Sequence, residues 1–89
     1  MDFEWDPEKA LSNSRKHGVT FHEASEVFAD ELSSAVSDPD HSVGEPRFLL
    51  FGATKSHRYL VVSYTERGRA IRIFSAREMT RQERRAYEQ

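Results

Sequence analysis

The chain has 89 residues, 37% of them hydrophobic and 31% charged, with a net charge of −2 and a mean hydropathy of −0.74. That length predicts a single domain, 1–89, with a limited core anchored by six Phe, three Tyr and one Trp. The absence of cysteine excludes a disulfide framework and a thiolate metal site; no apolar run approaches the ~18 residues of a membrane span and no signal-peptide pattern opens the chain, so a cytoplasmic protein is expected.

The opening "MDFEWDPEKALSNSRKHG" reads as a short strand and then a helix. Phe3 and Trp5 alternate with Asp2 and Glu4, the period of a half-buried strand. Asp6 follows as N-cap, with Pro7 at the first helical position, where a missing N–H costs nothing. Ala10, Leu11 and Ser14 line one side of the helix, and Gly18 is the C′ residue able to end it in the left-handed conformation. A second helix begins at once. Thr20 and Glu23 form a T-x-x-E capping box, Val19 and Ala24 a hydrophobic staple, and Phe21, Ala24, Val27 and Phe28 one apolar face. The stretch "KHGVTFHEA", with His17 and His22 either side of Gly18, is therefore first a corner between two helices.

In "SSAVSDPDHSVGEP" a short strand at 34–37 precedes a turn rich in Asp, Pro and Gly. Three more strands are expected: "RFLLFGAT", apolar enough to be buried on both faces, then "RYLVVSYTE" and "RAIRIFSAR", both rich in β-branched and aromatic residues. The "ERGR" between the last two suits a hairpin. In "MTRQERRAYEQ" a second capping box, Thr80 with Glu83, starts a C-terminal helix. The order β-α-α-β-β-β-β-α describes an α+β fold, a mostly antiparallel sheet packed by two N-terminal helices and one C-terminal helix.

The sequence holds no H-E-x-x-H, no calcium-type acidic loop, no Gly-rich phosphate loop and no serine nucleophile elbow, so neither a metal nor a cofactor is expected. What stands out is arginine. Residues 1–40 carry 3 Lys/Arg against 10 Asp/Glu, a balance of −7, while residues 41–89 carry 10 against 5, a balance of +5. Nine of those ten later cations are arginine, whose planar fork grips phosphate or carboxylate at two points. An acidic front and an arginine-rich back suggest two working surfaces.

Strand parity sorts these side chains. Ile71 and Ile73 point one way, Arg72 and Phe74 the other, and Arg77 stands at the strand's end. Arg58, Leu60, Val62, Tyr64 and Glu66 share a face of the preceding strand, and Arg47 opens the strand before that. Arg67 and Arg69 flank the hairpin glycine and join Arg58 as candidate RNA-binding cations. With Tyr64, the arginines interleave cation and ring, a pattern suited to single-stranded RNA, where arginine pairs with phosphate and the ring stacks on a base. Arginines lying over apolar strands, or pairing with Glu66, Glu78 and Glu83, are the competing reading. Of the histidines, His17 reads as a packing residue and His22 as solvated. His41 and His57, in loops flanking the basic strands, have the better claim to catalytic reach.

"FEWDPEKALSNSRKHGVTFHEASEVFAD", "GEPRFLLFG" and "RYLVVSYTERGRAIRIFSAREMTRQERRAYE", in that order over nearly the whole chain, resemble the BrnT family of bacterial toxins. The W-D-x-x-K-A-x-x-N-x-x-K-H-G-V-x-F pattern and the terminal S-A-R…T-x-x-E-R-x-x-Y-E pattern carry the resemblance together. It implies a RelE-like fold and a ribonuclease toxin of a type II toxin–antitoxin pair. It further implies a BrnA-like antitoxin that blocks the toxin, binds DNA and alone brings the pair to its promoter. The chemistry that follows is metal-independent attack of a ribose 2′-hydroxyl on the adjacent phosphate. In that scheme Arg77 of "SAR", Arg47 of "GEPR" and Arg72 clamp phosphate, because a group of such high pKa is a poor proton donor. Proton transfer falls to Glu66, His41, His57 or Tyr64. A non-enzymatic binding module, docking a protein or nucleic acid on the same arginines, is the alternative.

Overall fold

A computed structural model describes residues 1–41 and 43–89. Its elements are β1 (Asp2–Glu4), α1 (Pro7–His17), α2 (Phe21–Glu26), β2 (Ser34–Ser37), β3 (Phe48–Ala53), β4 (Tyr59–Arg67), β5 (Ala70–Glu78) and α3 (Arg81–Tyr87). Two short 3-10 turns, Val27–Ala29 and Pro39–His41, were not expected from the sequence. The order is the β-α-α-β-β-β-β-α that the residue pattern implies.

Local chemistry fixes the helix ends. The Asp6 side chain accepts from the Glu8 amide at 2.9 Å, and Gly18 ends α1 at φ 66°. The Thr20–Glu23 and Thr80–Glu83 capping boxes both close reciprocally, starting α2 and α3. Val19 and Ala24, the staple across the α1–α2 corner, are both fully buried. A two-residue loop joins β4 to β5, with Gly68 at φ 59°, a conformation glycine enters without a Cβ penalty.

The five strands run β1-β5-β4-β3-β2 across one sheet, antiparallel except where β1 joins β5 in parallel. Val19, Phe21, Ala24 and Val27 pack on one face, against Leu50, Leu60, Val62, Tyr64, Ile73 and Ala76. Each fully buried large side chain of this set contributes about 1.5–3 kcal/mol. Gly52 lets the sheet approach the first 3-10 turn closely, since a Cβ there would lie 2.7 Å from a Val27 methyl.

β1 is too short to cover β5 beyond Arg72, and α1 takes over there through one side chain. Asn13 is 6% exposed. Its amide nitrogen donates to the Ala76 carbonyl at 2.8 Å and to the Val19 carbonyl at 3.0 Å, and its oxygen accepts from the Ala76 N–H at 3.0 Å. The asparagine thus supplies the donor and acceptor that a longer β1 would have offered.

Candidate nucleic-acid interface

The sheet's second face carries the arginines, and a bulge decides which ones. On β4 and β5, Thr65 pairs with Arg72 and Tyr64 with Ile73, but Ser63 pairs with Ser75, so Phe74 is an extra residue. A bulge shifts the alternation of every residue beyond it. Simple parity would group Arg77 with Ile71 and Ile73, toward the helices. The bulge turns it to the side of Arg72, opposite Val61. The resulting face runs from Arg72 and the buried Thr65, through the paired Ser63, largely buried, and Ser75, exposed, to Arg77. Sequence reading grouped Phe74 with Arg72 and did not single out Ser63; it missed Ser75 as a member of this face, because no Gly or Pro marks the bulge.

At one end of the face the cations gather. Arg72 Nη1 donates to Glu4 Oε2 at 2.9 Å, across the parallel pairing of β1 and β5. Arg67 grips Glu45 with two N–H groups, at 3.3 and 3.0 Å. The Glu45 carboxyl is held below its ordinary value, first by the Arg67 hydrogen bond and further by the charges of Arg67, Arg47 and Arg72. Arg47 therefore lies in the same field. Its segment is pinned twice: the Thr65 hydroxyl donates to the Pro46 carbonyl, and the Asp38 N–H donates to the Arg47 carbonyl at 2.9 Å. The Arg47 guanidinium carbon sits 3.8 Å from the centre of the Phe74 ring, and Lys9 Nζ lies 5.7 Å from the same centre. Lys9, from the first turns of α1, is a further residue that the sequence reading left out. Its signal was present in the W-D-x-x-K-A pattern. Arg69 stands exposed in the β4–β5 loop beside this cluster.

Arg77 marks the opposite end of the face. It meets Glu83 of α3 in a bidentate pair at 2.8 and 2.9 Å, and that hydrogen bond is the largest influence holding the Glu83 carboxyl down at about 2. α3 is secured further by Tyr87, whose hydroxyl donates to Asp30, and by Arg84, 4.0 Å from the Tyr59 ring centre. Asp30 also accepts from the Ala53 N–H at 2.8 Å, so one carboxylate joins α3 to the end of β3.

The other expected site residues scatter. Arg58 lies on the helix side, donating to Glu23 at 2.7 Å, to Glu78 at 3.3 Å and to the Gly18 carbonyl at 3.2 Å. It braces the α1–α2 corner and does not share the face of Arg72 and Arg77. Tyr64 also faces the helices, at 8% exposure, with ring centres of Phe28 and Phe48 at 4.9 and 5.5 Å. Burial, and then the Glu66 charge, raise its hydroxyl above the ordinary value, so Tyr64 stays protonated. The ring beside the arginines of the open face is Phe74. Glu66 is exposed near the β4 end, opposite Ile71. His41 Nδ1 lies 3.0 Å from Asp38 Oδ2, at the Arg47 end of the sheet. His57, at φ 65° in the β3–β4 turn, lines a cavity of about 720 Å³ with Asp30, Tyr59 and Tyr87. The two histidines lie beyond opposite ends of β3, a strand of six residues that spans roughly 17 Å. Among the described residues, no three His, Cys, Asp or Glu come together as a group able to hold a metal. None of the described helices is long and apolar enough to cross a membrane.

A short five-stranded sheet, with α1 and α2 on one face and, on the other, arginines paired to carboxylates, one of them from α3, defines a small α+β fold with an arginine-bearing surface. Comparison with known proteins names the family: the one described as "Ribonuclease toxin, BrnT, of type II toxin-antitoxin system" matches residues 5–83, and the chain belongs to it. The crystal structure of the Brucella abortus ribonuclease toxin BrnT has the same fold, with a TM-score of 0.67 and 23% sequence identity, covering 91% of this chain and 99% of that one. No curated protein matches the chain.

Proposed function

We propose that the open face of the sheet binds RNA and that the chain cleaves it without a metal ion, by attack of a ribose 2′-hydroxyl on the adjacent phosphate. Membership of a ribonuclease toxin family supports the reaction class. The observation that carries the assignment to this face is the Phe74 bulge, which brings Arg72 and Arg77 to one side with the Ser63 and Ser75 hydroxyls between them. Arginines there can hold phosphate oxygens and stabilise the charge that grows on them as the bond breaks.

His41 is the group we assign to take the 2′-hydroxyl proton. It is 65% exposed, stands at the cationic end of the face and is oriented by Asp38 at 3.0 Å. Bond formation from the 2′-oxygen to phosphorus breaks the bond to the 5′-oxygen, which leaves with a proton from water, since Glu66 belongs to the Tyr64 side of β4. The products are a 2′,3′-cyclic phosphate and a 5′-hydroxyl. Arg47 and Arg72 attend the phosphate, and Arg67, Arg69 and Lys9 extend the cationic surface along the strand. Arg77 serves a phosphate further along. In the cytoplasm such cutting inhibits translation and growth, and a BrnA-like DNA-binding antitoxin neutralises it.

The test is incubation of purified, partner-free chain with RNA in EDTA, scoring 2′,3′-cyclic phosphate ends. Arg72→Ala lowers the rate about 100-fold, the scale of losing one charge-stabilising donor, and His41→Ala lowers it by a similar order through loss of the general base, roughly 100-fold or more. Intact RNA in EDTA, or full activity in Arg72→Ala at equal folded protein, overturns the mechanism. RNA that is bound and never cut favours the binding-module reading, for which the carboxylate pairing of Arg67, Arg72 and Arg77 already speaks.

A further inference from the structure

Each strand arginine of the open face already holds a carboxylate from another part of the chain: Glu45 on Arg67, Glu4 on Arg72 and Glu83 on Arg77. At Arg77 the two side chains meet in parallel, at 2.8 and 2.9 Å, with the fork that arginine also presents to a phosphate. Both stay in reach of water, Arg77 at 42% and Glu83 at 25% side-chain exposure, and a pair so placed is readily exchanged. The element that carries Glu83 has little else to seat it. Of the seven residues of α3, five are exposed, and the two that are partly covered are Glu83 and Tyr87. Those are the same two that tie the helix down, to Arg77 and to Asp30. Tyr59 adds ring contacts, with Arg84 at 4.0 Å and Tyr87 at 5.8 Å. Two hollows border the helix, one of about 720 Å³ at Asp30, Tyr59 and Tyr87, the other of about 550 Å³ at Phe51, Glu83 and Ala86. A helix of this length does not persist without its contacts.

We propose that α3 is a strap over the Arg77 end of the face: in the free chain the Glu83 carboxylate occupies the seat of a phosphate, and RNA reaches Arg77 by taking that seat as α3 lifts away. The inference rests on the reading of the open face as an RNA site and adds a control on that site. A phosphate offers the guanidinium the same two-point contact that Glu83 gives up, so the exchange at Arg77 is close to even. The cost of opening is then the seat of α3 itself. Glu4 lies on a strand of the sheet, and Glu45 precedes a segment bonded to Thr65 and Asp38. Of the three carriers, α3 is the one seated by side chains alone.

The experiment measures fluorescence anisotropy with a 2′-O-methyl octanucleotide, which has no 2′-hydroxyl to attack and stays intact. Glu83→Gln removes the competing charge and keeps the helix start, because glutamine serves a capping box as glutamate does. Tyr87→Phe removes the bond to Asp30 and alters no charge, so it separates a strap from a local effect of the Glu83 carboxylate. Each variant binds the oligonucleotide about tenfold more tightly than wild type, the gain when a competent state of roughly one-tenth becomes the majority. Adding Arg77→Ala cancels the gain of Glu83→Gln. In wild type, hydrogen exchange over residues 79–89, read by mass spectrometry, quickens when the oligonucleotide is added. A gain in Glu83→Gln with none in Tyr87→Phe, or slower exchange of α3 in the complex, overturns the strap. Should either variant fail a urea-unfolding check, the other and the exchange measurement decide. Equal binding by wild type and both variants overturns this inference alone; binding by none of the three overturns the function proposed above and this inference with it.

Discussion

Single side chains do two kinds of work here, and they differ in how visible they are in the sequence. Cap residues are visible: Asp6, Gly18, Thr20, Glu23, Thr80 and Glu83 each act as their residue type and spacing imply. Asn13 is not. Its position in a helix says nothing about a partner 63 residues away, and only the shortness of β1 gives it a strand edge to satisfy. Its three hydrogen bonds are buried, so Asn13→Ala orphans the Ala76 N–H and carbonyl and the Val19 carbonyl together. The expected loss is about 2–4 kcal/mol, given that each buried polar group left without a partner costs roughly 1–3 kcal/mol and that water recovers part of it. Urea unfolding measures it; a change under 1 kcal/mol would show that the edge does not depend on this residue. Arg77 makes the same point for the site. Alternation sends it toward the helices, and the bulge sends it to the open face. Arg58 and Tyr64, grouped correctly by alternation, proved to sit on the helix-covered side, because parity tells which residues share a face and not which face is covered.

Among the elements, α3 is held in a manner unlike the others. None of its residues is fully buried, so it relies on polar attachments: Arg77 to Glu83 at one end and Tyr87 to Asp30 at the other. That dependence makes it sensitive to pH. The Glu83 carboxyl sits at about 2 against an ordinary 4.5, chiefly through its hydrogen bond from Arg77. The folded chain therefore keeps a charge where the unfolded chain has bound a proton. The stabilisation from this pair is complete above about 4.5 and disappears as pH falls toward 2. Lowering the pH from 7 to 3 should reduce the urea midpoint of wild type more than that of Glu83→Gln, which has no such proton to bind. Equal reductions would show that the pair contributes nothing to holding α3. The existence of α3 was legible from its capping box. Its seat on the sheet was not, since the partner Asp30 lies 57 residues away.

At the scale of the molecule, a chain of net charge −2 displays a cationic face because its charges are segregated along the sequence. The acidic first part contributes Glu4 to Arg72, but most of its carboxylates lie elsewhere. Binding of RNA to such a face depends on released counterions, and log K falls against log salt with a slope of about −0.7 for each phosphate neutralised on a single strand. Arg72→Ala should make that slope shallower by about 0.7, whereas Arg58→Ala, on the helix side, should leave it unchanged while lowering stability. An unaltered slope in Arg72→Ala would remove it from the phosphate-binding set.

The parallel pairing of β1 with β5 has a further consequence, in time. Asp2 pairs with Ala70 and Asn13 with Ala76, so β1 has no strand to pair with, and Asn13 no strand edge to satisfy, until the last strand exists. Contacts between such distant segments form late and slowly, since the intervening chain must be closed into a loop first. During synthesis, β1 and α1 leave the ribosome long before their partner does, and Arg72 cannot meet Glu4 until then. A chain interrupted short of residue 70 carries neither the closed sheet nor its cationic face. The arginine face is thus the last part of the sheet to be assembled.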